Sequence, residues 1–180
     1  MKLTLSVNRI QQTTAAVVLM AACLAALPTT ARAQNDNDRH AAGTALVGTW
    51  TFQITLRDCS SGAQLGAPFY SLLTFNEGGT MTETTANPMF YPAERGPGHG
   101  VWSHVKGGGY GDASDRRYQA RSLALITVNG VLAQEQIIRQ NIQMGNNPNT
   151  LQTTSASVEF YKPDGTLVRK GCATARGTRF

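Results

Sequence analysis

The segment 48–57 reads GTWTFQITLR, and its apolar side chains from Trp50 to Leu56 recur at every second position. The residues between them are polar, so one side of the segment can be buried while the other faces water. A period of two is typical of a half-buried β-strand rather than of a helix. We therefore place the first strand of the domain here.

Seven further apolar or alternating segments follow, separated by turns rich in glycine or polar residues. They are predicted as strands over residues 69–75, 80–85, 100–105, 118–128, 131–144, 151–162 and 167–175. Consecutive strands joined by such turns form an antiparallel meander, and closing the meander removes its exposed edges. The predicted fold class is all-β, an eight-stranded antiparallel up-and-down barrel.

The strongest turn signal is Asn129-Gly130, because both residues tolerate the positive φ of a type I′ turn. It predicts a hairpin in which Val128 faces Val131. A regular continuation of that register puts Glu135 and Arg139 on the same face as the small residues of the facing strand. We expect the two charges to point outward, whereas the inward orientation would give a polar cavity.

A second hairpin is predicted at Asp164-Gly165, between the last two strands. Its register places Glu159 opposite Lys170, which is a favourable cross-strand pair. Together the two hairpins orient the second half of the sheet.

The N-terminus has the features of a signal peptide. An apolar run over residues 15–27 precedes Ala31-Arg32-Ala33, a small-x-small cleavage pattern, so residues 1–33 are predicted to be removed. Residues 34–45 are polar and aperiodic and are expected to form a flexible arm, and residues 46–180 form the barrel domain. No other segment approaches the length of a membrane span. The protein is therefore expected to be secreted or periplasmic.

Removal of the leader leaves 147 of the 180 residues, enough for one domain with a real core. Of the 16 Lys and Arg, 13 remain against 11 acids. No basic run or interleaving of basic and aromatic residues occurs, so nucleic acid is not an expected partner. No cofactor motif is present, and none is expected to bind.

Two cysteines remain after the leader, Cys59 and Cys172. An exported protein reaches a compartment that permits disulfides, so we predict that they pair. Since one follows the first strand and the other lies in the last, the bridge also requires the sheet to close.

The connection from Ala86 to His99 is long, aromatic and stiffened by prolines, and it is the candidate lid of the barrel. Phe90, Tyr91 and His99 are predicted to bind a ligand at the mouth. Tyr70 and Trp102, on the strands beside this loop, complete the predicted ligand-binding set.

A symmetric hairpin between the third and fourth strands would bring Glu83 near Trp102 and Met81 near His104. A carboxylate and an imidazole in one cavity are the groups that general acid–base catalysis needs. Glu83 and His104 are therefore the candidate catalytic residues if the protein is an enzyme. His99 and His104 fall on opposite faces of a regular strand, so no metal site is predicted.

The tripeptide Gly48-Thr49-Trp50, at the start of an eight-stranded meander, resembles the Gly-x-Trp signature of the lipocalins and the wider calycin group. The resemblance covers the whole mature chain. It implies a calycin-like barrel whose tryptophan closes the base, with a basic residue from the last strand packed across it. Arg176 and Arg179 are the candidates for that residue.

Three functions remain open. The leading one is a secreted barrel that binds a small, largely apolar molecule in its lumen. The alternatives are a barrel enzyme, namely an isomerase, cyclase or lyase, and a structural or partner-binding barrel without a ligand. Because residues 123–128 are apolar on both faces, a homo-oligomer is also expected.

Overall fold

The computed structural model describes residues 44–105 and 116–180. The predicted signal peptide and residues 34–43 of the predicted arm lie outside these described residues. Each strand pairs antiparallel with the next, and the last pairs with the first, so eight strands form a closed barrel and the predicted fold class is confirmed. The strands are β1 (Gly48–Arg57), β2 (Gln64–Phe75), β3 (Thr80–Ala86), β4 (Glu94–His104), β5 (Arg117–Val128), β6 (Val131–Met144), β7 (Thr150–Tyr161) and β8 (Leu167–Arg179).

Two strands begin earlier than their sequences indicate. β2 starts at Gln64 rather than Phe69, and β4 starts at Glu94 rather than Gly100. Each added part contains a proline, and in each the pairing register shifts beside it. A bulge accommodates a proline because the ladder hydrogen bond is already interrupted there. The predicted long loop therefore shortens to residues 87–93, with a 3-10 turn at Pro88–Phe90.

Both predicted hairpins are present. Val128 pairs with Val131 across Asn129-Gly130, whose φ angles are 50° and 76°. In the β5–β6 pair, however, the register shifts directly beyond this turn. Glu135 and Arg139 were predicted to share a face with the small residues of β5. This prediction is wrong, because one extra residue in β6 moves their partners by one position.

The barrel floor is built around Trp50. Its indole nitrogen donates to the carbonyl of Leu46 at 2.9 Å, and the guanidinium of Arg179 lies 4.2 Å from the ring centroid. Arg179 also donates to the carbonyls of Ala45 and Val47, both at 2.7 Å. Gly48 has φ +126°, and a Cβ atom there would lie 2.6 Å from Nη1 of Arg179. A glycine thus permits both the backbone conformation and the close approach of the arginine.

Above the floor, large side chains fill the lower half of the barrel. Trp102 packs edge-on between Phe75 and Tyr118, at centroid distances of 6.1 Å and 5.8 Å. Burial raises the pKa of the Tyr118 hydroxyl to about 12. This apolar plug includes Phe52, Leu73, Met81, Ile142, Met144 and Leu151. Open space in the lumen is therefore confined to the other half.

The predicted disulfide between Cys59 and Cys172 is present, with 5.2 Å between the Cα atoms. It joins the turn after β1 to β8, at the end of the barrel opposite the Trp50 floor. The bridge ties the first and last strands together close to where the lumen opens.

Candidate functional site

The upper half of the barrel contains a cavity of about 290 Å³. That volume is close to the lower end of the range for small-molecule sites, about 300–1,000 Å³. Most of the lining is apolar and comes from β1, β2, β6, β7 and β8. Its main apolar residues are Phe52, Ile54, Leu56, Phe69, Leu73, Ile138, Val158, Phe160, Ala173 and Ala175.

Phe90 and Arg169 narrow the mouth of the cavity. The side chain of Asn87 accepts a hydrogen bond from the Met89 amide at 3.0 Å, which caps the 3-10 turn carrying Phe90. The Phe90 ring lies 6.4 Å from the ring of Phe160. The guanidinium of Arg169 lies 3.9 Å over that same Phe160 ring, in cation–π geometry. Two aromatic rings and a stacked cation therefore border the entrance.

A buried polar cluster lies at one wall of the cavity, where Glu83 and Gln136 line it. Arg95 donates from Nη2 to Oε1 of Glu83 at 2.5 Å and from Nε to Oε1 of Gln136, also at 2.5 Å. Ser122 donates to the same Glu83 oxygen at 3.0 Å. The side chains of Arg95 and Glu83 are only 2% and 4% exposed. An ion pair so deeply buried must be well hydrogen-bonded to be tolerated, and the bonds to Gln136 and Ser122 meet that need.

The strand geometry explains why these groups meet. The irregularity between Arg95 and Gly98 breaks the alternation of β4, so that Arg95 points into the barrel although Pro97 separates it from the regular part of the strand. Gly98 pairs with Glu83, and a Cβ atom there would lie 2.4 Å from the Glu83 carboxylate. A glycine at this position leaves the space that the carboxylate occupies.

The structure does not bring the candidate catalytic pair together. Glu83 pairs with Gly98, not with Trp102 as the symmetric hairpin predicted. His104 lies six residues further along β4, about 20 Å away at the usual rise per residue, and its ring packs 5.2 Å from Tyr118. The expected register was wrong because β4 begins at Glu94 rather than Gly100, and the shorter connection moves the partners of β3 by four positions along β4. Glu83 lines the cavity, whereas His104 belongs to the plug end.

The predicted ligand-binding residues are also divided. Phe90 lines the cavity as expected. Tyr91 and Tyr70 are 88% and 58% exposed, and His99 is exposed on the outer face of β4. Trp102 packs in the plug below the cavity. Among the arginines proposed for the floor, Arg179 stacks on Trp50 while Arg176 is exposed.

Sequence reasoning missed Arg95, Gln136, Phe160 and Arg169 as site residues. Arg95 was assigned to a loop because of its neighbouring proline and glycines. Gln136 lies just beyond the irregularity in β6, which exchanges the inner and outer faces expected for the rest of that strand. Phe160 had a usable signal, since it alternates with polar neighbours in β7. Arg169 pairs with Phe160, which follows directly from the correctly predicted Asp164-Gly165 hairpin.

Comparisons with protein-family models, curated proteins and solved structures found no match to this chain. Within residues 44–105 and 116–180, no helix is long and apolar enough to cross a membrane. In the same ranges, no three His, Cys, Asp or Glu side chains are grouped as metal ligands.

Proposed function

We propose that this protein binds a small, largely apolar molecule in the lumen of its barrel. The observation that carries the proposal is the cavity of about 290 Å³ above a lower half that is already filled by side chains. Eight-stranded barrels either fill their interior or hold one small ligand. The apolar walls and the aromatic mouth favour the second use, and the cavity size favours a compact ligand.

The test is a titration of the purified protein with butylbenzene, followed by two-dimensional NMR. Binding in the lumen should shift the amide signals of the cavity ends of β1, β7 and β8. A bulky side chain at Ala156, which lines the cavity, should abolish these shifts. The matched control is the neighbouring residue Ser157, which is exposed on the outer face. The proposal fails if the wild-type spectrum does not change, or if Ala156→Phe and Ser157→Phe behave alike.

The enzyme alternative has less support. It required an acid–base pair formed by Glu83 and His104, and these residues lie in different halves of the barrel. Glu83 alone remains in the cavity, where Arg95 and Ser122 hold one of its oxygens. A structural barrel without a ligand has less support as well, because it provides no reason for an open lumen.

Export to a secreted or periplasmic location is part of the proposal. The disulfide between Cys59 and Cys172 supports it, since such bridges persist in oxidising compartments. The intact mass of the protein from its native source should correspond to a chain that begins at Gln34 and contains one disulfide. A full-length chain with free thiols would contradict export.

We also propose that the protein forms a homo-oligomer through the outer side of β5. Leu123 and Leu125 are 37% and 46% exposed there. Exposed apolar residues in a row are typical of contact surfaces. Native mass spectrometry should show a multimer that Leu125→Lys dissociates, while Gln119→Lys, also at an exposed position of β5, leaves it intact. A wild-type monomer would overturn this.

Kinship with the calycins remains a proposal. Gly48, Trp50 and Arg179 support it, because they form the glycine–tryptophan–arginine floor that the resemblance implied. The kinship agrees with a ligand in the lumen.

A further inference from the structure

The orientation of the Gln136 amide is determined by its neighbour. Because Arg95 Nε donates to this side chain at 2.5 Å, the accepting atom must be Oε1, and the NH₂ group lies on the other side. Gln136 is 6% exposed and lines the cavity. Within residues 44–105 and 116–180, no protein group accepts a hydrogen bond from this NH₂. A buried donor without a partner costs about 1–3 kcal/mol, so the site favours an occupant that accepts.

Glu83 supplies an acceptor in the same polar wall. Its Oε1 receives hydrogen bonds from Arg95 and Ser122, whereas Oε2 receives only a long one from Thr85 at 3.4 Å. Glu83 also lines the cavity. Since one guanidinium binds both Glu83 and Gln136, the side chains that carry the available acceptor and the available donor are neighbours in this wall.

We propose that this wall recognises a hydroxyl group on an otherwise apolar molecule. The hydroxyl would donate to Oε2 of Glu83 and accept from Nε2 of Gln136, while the apolar body occupies the rest of the lumen. A hydroxyl is a small group that combines both capacities. A carboxylate only accepts and would repel Glu83, and a hydrocarbon would leave both protein groups unpaired. This inference rests on the proposed function and specifies the chemistry of its ligand.

Three probes that share one apolar body separate these possibilities: para-butylphenol, butylbenzene and para-butylbenzoate. Each is titrated into the wild-type protein, and the dissociation constant is measured by NMR or calorimetry. We expect the phenol to bind at least about tenfold more tightly than butylbenzene, since a hydrogen bond to a charged group contributes about 1.5–3 kcal/mol. The benzoate should bind most weakly.

Two variants assign the preference to the polar wall. Glu83→Leu combined with Arg95→Met removes the ion pair as a unit, a change that is often tolerated when volume is preserved. Gln136→Leu removes the donor alone and leaves the pair in place. In the double variant the phenol should lose its advantage over butylbenzene, and in Gln136→Leu it should lose part of that advantage, while butylbenzene still binds to both. Glu159→Gln is the matched control, because Glu159 also pairs with cations but lies outside the cavity.

The outcomes distinguish this inference from the proposed function. Equal affinity of the wild type for phenol and butylbenzene would overturn the inference and leave the apolar lumen standing. Preferred binding of the benzoate would also overturn it and would point to the Arg169 cation at the mouth. If none of the three probes binds, the proposed function fails and the inference fails with it. A phenol preference that persists in both variants would overturn the assignment to this wall.

Discussion

Glu83 and Arg95 form an ion pair at 2.5 Å inside a barrel whose other contacts are mainly apolar. The two residues are 12 positions apart, on strands that are neighbours in the sheet. A buried pair of this kind is weak evidence for stability, because the desolvation of both charges offsets their attraction. Its position beside the cavity agrees with the role in ligand recognition that we propose for this wall.

Breaking this pair on one side should be more harmful than removing it entirely. Arg95→Met leaves the Glu83 carboxylate buried without a counter-charge, and we expect it to lower the free energy of unfolding by about 3–5 kcal/mol. Glu83→Leu combined with Arg95→Met should recover most of that loss. Urea unfolding of the wild type, Arg95→Met and the double variant measures the three free energies of unfolding. A double variant no more stable than Arg95→Met would show that the charges stabilise the fold as a pair.

Gly98→Ala should destabilise the barrel, because its Cβ atom would lie 2.4 Å from the Glu83 carboxylate. Overpacking of this kind costs about 1–3 kcal/mol. Gly171→Ala on β8 is the matched control, since a Cβ atom there has no heavy atom within 4 Å apart from its own chain neighbours. Thermal unfolding should therefore separate the two variants. Equal melting temperatures would contradict the close approach at Gly98.

The floor contact predicts that Arg179 is not replaceable by lysine. Arg179→Lys loses the planar group that stacks on Trp50 and donates to two carbonyls. We expect a loss of about 1–2 kcal/mol in denaturant unfolding. Arg176→Lys, at an exposed position of the same strand, should change the stability very little. A similar loss in both variants would mean that the floor contact contributes nothing specific.

Removing the disulfide should destabilise the protein without changing its fold. Cys59→Ser combined with Cys172→Ser frees a loop with a sequence separation of 113, and loss of a native bridge typically costs about 2–5 kcal/mol. Chemical denaturation with and without reductant provides the measurement. The wild type should become less stable in reductant, and the double variant should not respond. A reductant effect on the double variant would contradict this assignment.

Alkaline pH should destabilise the barrel through Tyr118. Burial raises its pKa from 10.0 to about 12, so the folded state holds the proton more tightly than the unfolded state does. The resulting stabilisation is complete below pH 10 and is lost as the pH rises through about 12. Unfolding midpoints between these pH values should show the decline. Tyr118→Phe should be less pH-dependent there, and an unchanged slope would assign the effect elsewhere.

Much of the fold was predictable because the relevant signals are local. Alternation marks β1, Asn129-Gly130 and Asp164-Gly165 mark two hairpins, and two exported cysteines predict one bridge. Each signal depends on backbone preferences or burial within a few residues, and these act in the same way in any antiparallel barrel.

The sequence alone therefore determined the strand count, the closure and the disulfide, whereas the tertiary structure decided which side chains meet in the lumen. In β4 and β6, irregularities beside Pro97 and beyond the Asn-Gly turn change the pairing register. A shift of one position exchanges the two faces of a strand, because side chains alternate with a period of two. For that reason Gln136 joins Glu83 in the cavity wall and Arg95 contacts both. His104 lies in the plug half because β4 begins at Glu94, which shifts the pairing of β4 with β3.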